Sequence, residues 1–110
     1  MRRALRPLAA FTLSLLTVSP ASAAASVTVA IANFTFEPAA ATVPVGTKLT
    51  WINRDDIPHV IDADDGSFAS PALDTGDSFS VTVTTIGEIA YFCGLHPHMK
   101  GSIKVVAASG

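Results

Sequence analysis

Apolar and polar positions alternate along most of the chain from residue 27 onward. Val27, Val29 and Ile31 alternate with Thr28 and Ala30, the period of two that half-buries a strand. Phe34-Thr35-Phe36 continues the style, and the strand reading is carried through it. Pro38 and Pro44 break the next stretch, and Val45-Gly46-Thr47 reads as a turn. Lys48–Asn53, rich in β-branched and aromatic residues, predicts a firm strand. His59-Val60-Ile61 resumes after Pro58. Asp74-Thr75-Gly76-Asp77 is a turn, and Ser78 to Thr84 alternates cleanly. Ile89 to Cys93 is another apolar strand. Gly101 to Val106 is the last, with Ile103 and Val105 on one face. No twelve-residue window in this part carries a helical apolar stripe. About seven short strands with frequent turns predict an all-β fold, an antiparallel sandwich or barrel.

The first residues follow another pattern. Arg2, Arg3 and Arg6 precede an apolar run from Leu8 to Val18, and Ala21-Ser22-Ala23 is a small-x-small cleavage pattern. These three parts predict a secretory signal peptide over 1–23, cut after Ala23 or, alternatively, Ala25. The apolar run has eleven residues, too few for a bilayer core of roughly 30 Å. No membrane span is expected after cleavage. Arg2-Arg3 is a weak hint of twin-arginine export that its surroundings do not support. The remaining 24–110 reads as one domain.

Export changes the charge. The whole chain carries a formal −2, but the mature part keeps Lys48, Arg54, Lys100 and Lys104 against all nine acidic residues, a net −5. That disfavours nucleic acid and anionic lipid as partners. Charged residues are 15% and apolar ones 49%, which excludes a disordered chain. A single cysteine, Cys93, excludes an internal disulfide. For a core of this size, a metal is the supplement still open.

The candidate chemistry lies in one short segment. Cys93-Gly94-Leu95-His96-Pro97-His98-Met99 sets thiolate, imidazole and thioether at Cys-x2-His-x2-Met spacing. A second imidazole, His59, lies 34 residues upstream. Two histidines, one cysteine and a weak methionine are the ligand set of blue-copper electron-transfer sites. With Cys93 ending one strand and Gly101 opening the next, the segment is expected to be a hairpin-like loop. Each residue also has a plainer reading. Cys93 could be a buried free thiol, Met99 core filler and His59 an ordinary surface histidine. His98 could be an exposed loop residue, a competing ligand or a pH-sensitive docking residue; exposure is the expectation. Asp62-Ala63-Asp64-Asp65-Gly66 fails the calcium-loop pattern, because Gly66, Ser67 and Leu73 stand where ligands and glycine are needed. A solvated turn is expected there. Asn33-Phe34-Thr35 matches a glycosylation sequon inside a predicted strand. No Ser-His-Asp set is supported.

Trp51-Ile52-Asn53-Arg54 with Pro58-His59, then Gly87 and Tyr91-Phe92-Cys93-Gly94-Leu95-His96-Pro97-His98-Met99-Lys100-Gly101, resembles the cupredoxins. Within them it is most similar to the amicyanin-like and plastocyanin-like proteins, from about Val27 to Val106. The resemblance implies a Greek-key β-sandwich of seven to eight strands and one type 1 copper ion. The ligands it implies are His59, Cys93, His96 and axial Met99. It also implies one-electron carriage in the bacterial periplasm, between a dehydrogenase donor and a cytochrome c-type acceptor. The chain departs from the amicyanin pattern at His98, Val60 and Ile89.

The expected protein is therefore a monomeric carrier and not an enzyme, since four protein ligands leave no open position for substrate. A periplasmic copper chaperone or storage protein using the same ligands is the alternative. Docking is expected near His96, Leu95, Pro97 and Pro58, within an apolar patch joined by Ile57, Phe68 and Pro71. Asp55 and Asp56 would steer a basic cytochrome. Asn53 is expected to tie its strand to the ligand loop, and the Val60 amide to donate to the Cys93 sulfur.

Overall fold

Alternating sequences of this kind gain stability only when two sheets press their apolar faces together, and that is what the computed structural model has. It describes residues 25–109 and Ala4; the expected leader lies almost wholly outside the described residues. Eight strands form: β1 (Ser26–Ala32), β2 (Thr35–Glu37), β3 (Ala40–Pro44), β4 (Lys48–Asn53), β5 (Ile61–Ala63), β6 (Ser78–Thr82), β7 (Gly87–Cys93) and β8 (His96–Val106). One sheet runs β2-β1-β4-β6 and the other β3-β8-β7-β5. No helix among the described residues is long and apolar enough to cross a membrane.

The sandwich is mixed rather than antiparallel throughout. β1 lies parallel to β4, pairing Val29 with Trp51, and β3 lies parallel to β8, pairing Val43 with Val105. From β2 to β7 each successive strand crosses to the other sheet, while β1–β2 and β7–β8 stay within one, as a Greek-key sandwich allows. β3 was not foreseen, because alanines and prolines are poor strand formers. It survives as an edge strand, where Pro44 closes the pairing and lacks an N–H only at the rim. Phe34 does not continue β1. Asn33 and Phe34 form a two-residue turn, and β2 returns antiparallel from Thr35. Asn33 is therefore a turn residue, not a strand residue. The turn at Val45-Gly46-Thr47 forms as expected, with Gly46 at φ 93°.

Inward rows of side chains make the core. Val29 and Ile31 on β1 and Leu49 and Trp51 on β4 meet Tyr91, Ile103 and Val105 from the other sheet. Trp51 packs edge-on to Tyr91, with ring centroids 5.3 Å apart. Gly101 stands opposite Tyr91, and a Cβ there would overlap the Tyr91 ring. The absent side chain is what lets the phenol lie flat across β8.

Candidate metal centre

At one end of the sandwich the inward rows change from apolar to chemical residues. Leu49 and Trp51 on β4 lead to buried Asn53; Tyr91 on β7 leads to buried Cys93; Ile61 on β5 is preceded by buried His59; Ile103 and Gly101 on β8 lead back to buried Met99. The period of two that builds the core thus delivers these donors to a common pole.

The ligand segment differs from the expected seven-residue loop. β8 begins at His96, so only Gly94 and Leu95 turn the chain, and Cys93 pairs directly with His96. The register then slips: Phe92 pairs with Lys100, which leaves Pro97, His98 and Met99 as a bulge on β8. A bulge re-aims side chains without ending the strand, and Pro97 has no N–H to leave unpaired. His98 is exposed and Met99 is 3% exposed.

His59, Cys93 and His96 come together, with one donor atom from each within 4.8 Å of the others. Cys93 Sγ lies 3.6 Å from His59 Nδ1 and 3.6 Å from His96 Nδ1. Metal bonds of about 2.3 Å to sulfur and 2.0 Å to nitrogen, meeting near a tetrahedral angle, span about 3.5 Å. The spacing fits one ion shared by the three atoms. A soft thiolate with two imidazoles, and the Met99 thioether buried in the same cluster as Cys93, suits copper better than zinc, for which a thioether is no ligand.

The surroundings orient each donor. Asp55 Oδ2 accepts a hydrogen bond from His59 Nε2 at 2.8 Å, which leaves Nδ1 with its lone pair toward the sulfur. His59 also exchanges backbone hydrogen bonds with Leu73, 3.1 Å from its N–H and 2.8 Å to its carbonyl. The Val60 amide donates to Cys93 Sγ at 3.4 Å, as foreseen. Asn53 does something other than expected. Its Nδ2 donates to the carbonyls of Ile57 and Leu73, and its Oδ1 accepts the Asp55 amide. It anchors the segment before His59, not the loop after Cys93.

Two neighbours were not read from the sequence as parts of the site. Asp55 was assigned to steering a partner, yet it accepts amides of Asn33 and Phe34 besides the His59 imidazole. Burial acts to raise its carboxyl pKa, but the Phe34 amide, the His59 ring and the Asn33 amide overrule it and hold it below the usual range. Phe34, placed in a strand, sets its ring edge-on to both His59 and His96. The one signal for it was Asn33, a residue at ease in a tight hairpin turn.

The expected apolar rim is present in part. Leu95 is 53% exposed, Pro58 and Pro97 are exposed, and Ile57 is half-buried. Phe68 departs from it, packing against Trp51 and Phe79 beside the core.

A β-sandwich with this donor set at its pole defines a small blue-copper protein. The Cupredoxin-like domain family matches residues 6–105, and the chain belongs to that family. It is 31% identical to amicyanin of Paracoccus denitrificans over 85 residues, 73% of this chain, and spans 65% of that protein's length. It is 35% identical to plastocyanin of Scenedesmus fuscus, covering 64% of this chain and 85% of that one. An oxidised amicyanin variant superposes with a TM-score of 0.70 at 30% identity, covering 73% of this chain and 81% of the other. The cofactor to which family and donor set both point is a single type 1 copper ion.

Proposed function

We propose that this protein is a periplasmic one-electron carrier, exported by the 1–23 leader, with His59, Cys93, His96 and Met99 as the copper ligands. The observation that carries this reading is the pair of equal 3.6 Å distances from Cys93 Sγ to two imidazole Nδ1 atoms. Bound there, copper would supply a one-electron Cu(I)/Cu(II) couple. The chain's own residues hold still around it. Asp55 fixes the His59 tautomer, the Val60 amide steadies the thiolate, and the β7–β8 ladder fixes Cys93 against His96. Donors that need not move when charge changes keep the cost of electron exchange low.

His96 is the half-buried imidazole and supplies the port, with Leu95, Pro97 and Pro58 as the apolar docking rim. A rim of that kind suits small, short-lived interfaces. The acidic mature chain favours a basic acceptor of the cytochrome c type, with a dehydrogenase as donor.

The test mixes reduced, copper-loaded protein with an oxidised basic cytochrome c in a stopped-flow instrument. Leu95→Glu is expected to slow transfer about tenfold, the worth of roughly 1.4 kcal/mol at the docking surface, at an unchanged reduction potential. An unchanged rate moves the port elsewhere. Copper passing to the acceptor instead of electrons would favour a chaperone.

A further inference from the structure

The β1–β2 hairpin turns through Asn33 at φ 53° and Phe34 at φ 59°. Two successive left-handed residues are what a tight two-residue hairpin demands, and glycine is the residue at ease in the second place. A phenylalanine there is a backbone outlier that the rest of the structure must hold in place. Core packing does not explain it, because the residue is 48% exposed.

The ring instead lies against the two imidazoles. Its centroid is 5.3 Å from that of His96 at 89° and 5.8 Å from that of His59 at 85°. The imidazoles are themselves 5.2 Å apart. The three rings form a closed triangle, with edge-to-face geometry on both Phe34 contacts. The turn is pinned from below by Asp55, which accepts the Asn33 amide at 2.7 Å and the Phe34 amide at 3.1 Å. That carboxylate also accepts His59 Nε2 at 2.8 Å. One side chain thus orients the inner imidazole and fixes the turn that carries the aromatic ring.

The two imidazoles depend on this arrangement unequally. His59 is fully buried and already fixed by Asp55 and Leu73. His96 is half-buried, and among the described residues its ring has a polar contact only with Cys93 Sγ. We infer that Phe34 is a positioning residue: its ring, held across both imidazoles by a strained turn that Asp55 pins, keeps His96 in its ligating orientation while leaving one edge open. The inference rests on the reading of His59 and His96 as copper ligands. On it, the strained turn exists to place a ring that glycine could not supply.

The experiment uses the full chain loaded with Cu(II) and compares wild type, Phe34→Gly and Phe34→Tyr. The readouts are the rate at which EDTA withdraws copper, the visible and EPR spectra, and the Tm of the metal-free protein. Phe34→Gly is expected to release copper about tenfold faster, the worth of an aromatic pair at roughly 1.4 kcal/mol. Its EPR spectrum shifts, while its metal-free Tm is unchanged or raised because the turn relaxes. Phe34→Tyr keeps the ring and restores the wild-type rate. A coloured Phe34→Gly protein with wild-type release and spectrum overturns the inference and leaves the copper reading intact. A metal-free Tm that falls sharply in Phe34→Gly also overturns it, since the ring would then be ordinary packing. A wild type that takes up no copper overturns both.

Discussion

His59 and His96 reach the Cys93 sulfur at the same 3.6 Å, from regions built on opposite plans. The His59 region is a closed polar network. Asn53 grips the Ile57 and Leu73 carbonyls, Leu73 exchanges two backbone bonds with His59, and Asp55 takes the imidazole N–H. The buried side chains of Asn53 and His59 both have polar partners, which makes the region rigid and costly to disturb. The His96 region is a two-residue turn followed by a bulge, half open to solvent and flanked by exposed Leu95 and Pro97. One imidazole is held by hydrogen bonds inside the fold, and the other is presented to the outside. An electron carrier needs both: a fixed inner anchor, and an edge that a partner can approach.

Substitutions on the two sides should part company. The largest effect on the fold belongs to Asp55→Ala, which removes a carboxylate 12% exposed that accepts from His59, Asn33 and Phe34. A loss of about 3 kcal/mol is expected, a Tm fall of roughly 12–24 °C at this size, read by thermal unfolding of the metal-free protein. A Tm within a few degrees of wild type would make the inner network far weaker than its geometry suggests. Met99→Gln changes the buried residue of the bulge. It should keep copper bound and lower the reduction potential, because an oxygen donor favours Cu(II) over Cu(I). Cyclic voltammetry reads the shift, and an unmoved potential would argue against Met99 as a copper ligand. Leu95→Glu comes last on this scale. It should leave Tm and potential untouched and alter only the rate with a partner. Any loss of stability there would erase the distinction drawn between the regions.

The strands that bury one face were legible in the sequence because their alternation is strict. β4 runs Lys48–Asn53 as read and β6 departs only at its end, whereas β1 stops at Ala32, before the Phe34-Thr35-Phe36 stretch that the alternation extends it through. The three residues that the structure gathers, His59, Cys93 and His96, were legible as candidates from their chemistry, and Cys93 and His96 from their spacing as well. What escaped was conformation that depends on distant partners. Phe34 has the hydrophobic signature of a strand residue, and only the Asp55 carboxylate 21 positions away in sequence captures its amide in a turn. β3 forms because β8 offers it an edge, against its own weak propensity. The register slip between Phe92 and Cys93, which turns an expected loop into a bulged strand, has no signal in residue type beyond Pro97.

The account stands on two imidazoles and a thiolate placed where they would hold one ion, so the most direct measurement is a visible-range titration with Cu(II). Wild type should take up one equivalent and develop an intense thiolate-to-copper band, and Cys93→Ser should bind without that colour. A colourless wild type, or a band that persists when the sulfur at position 93 is gone, would contradict it.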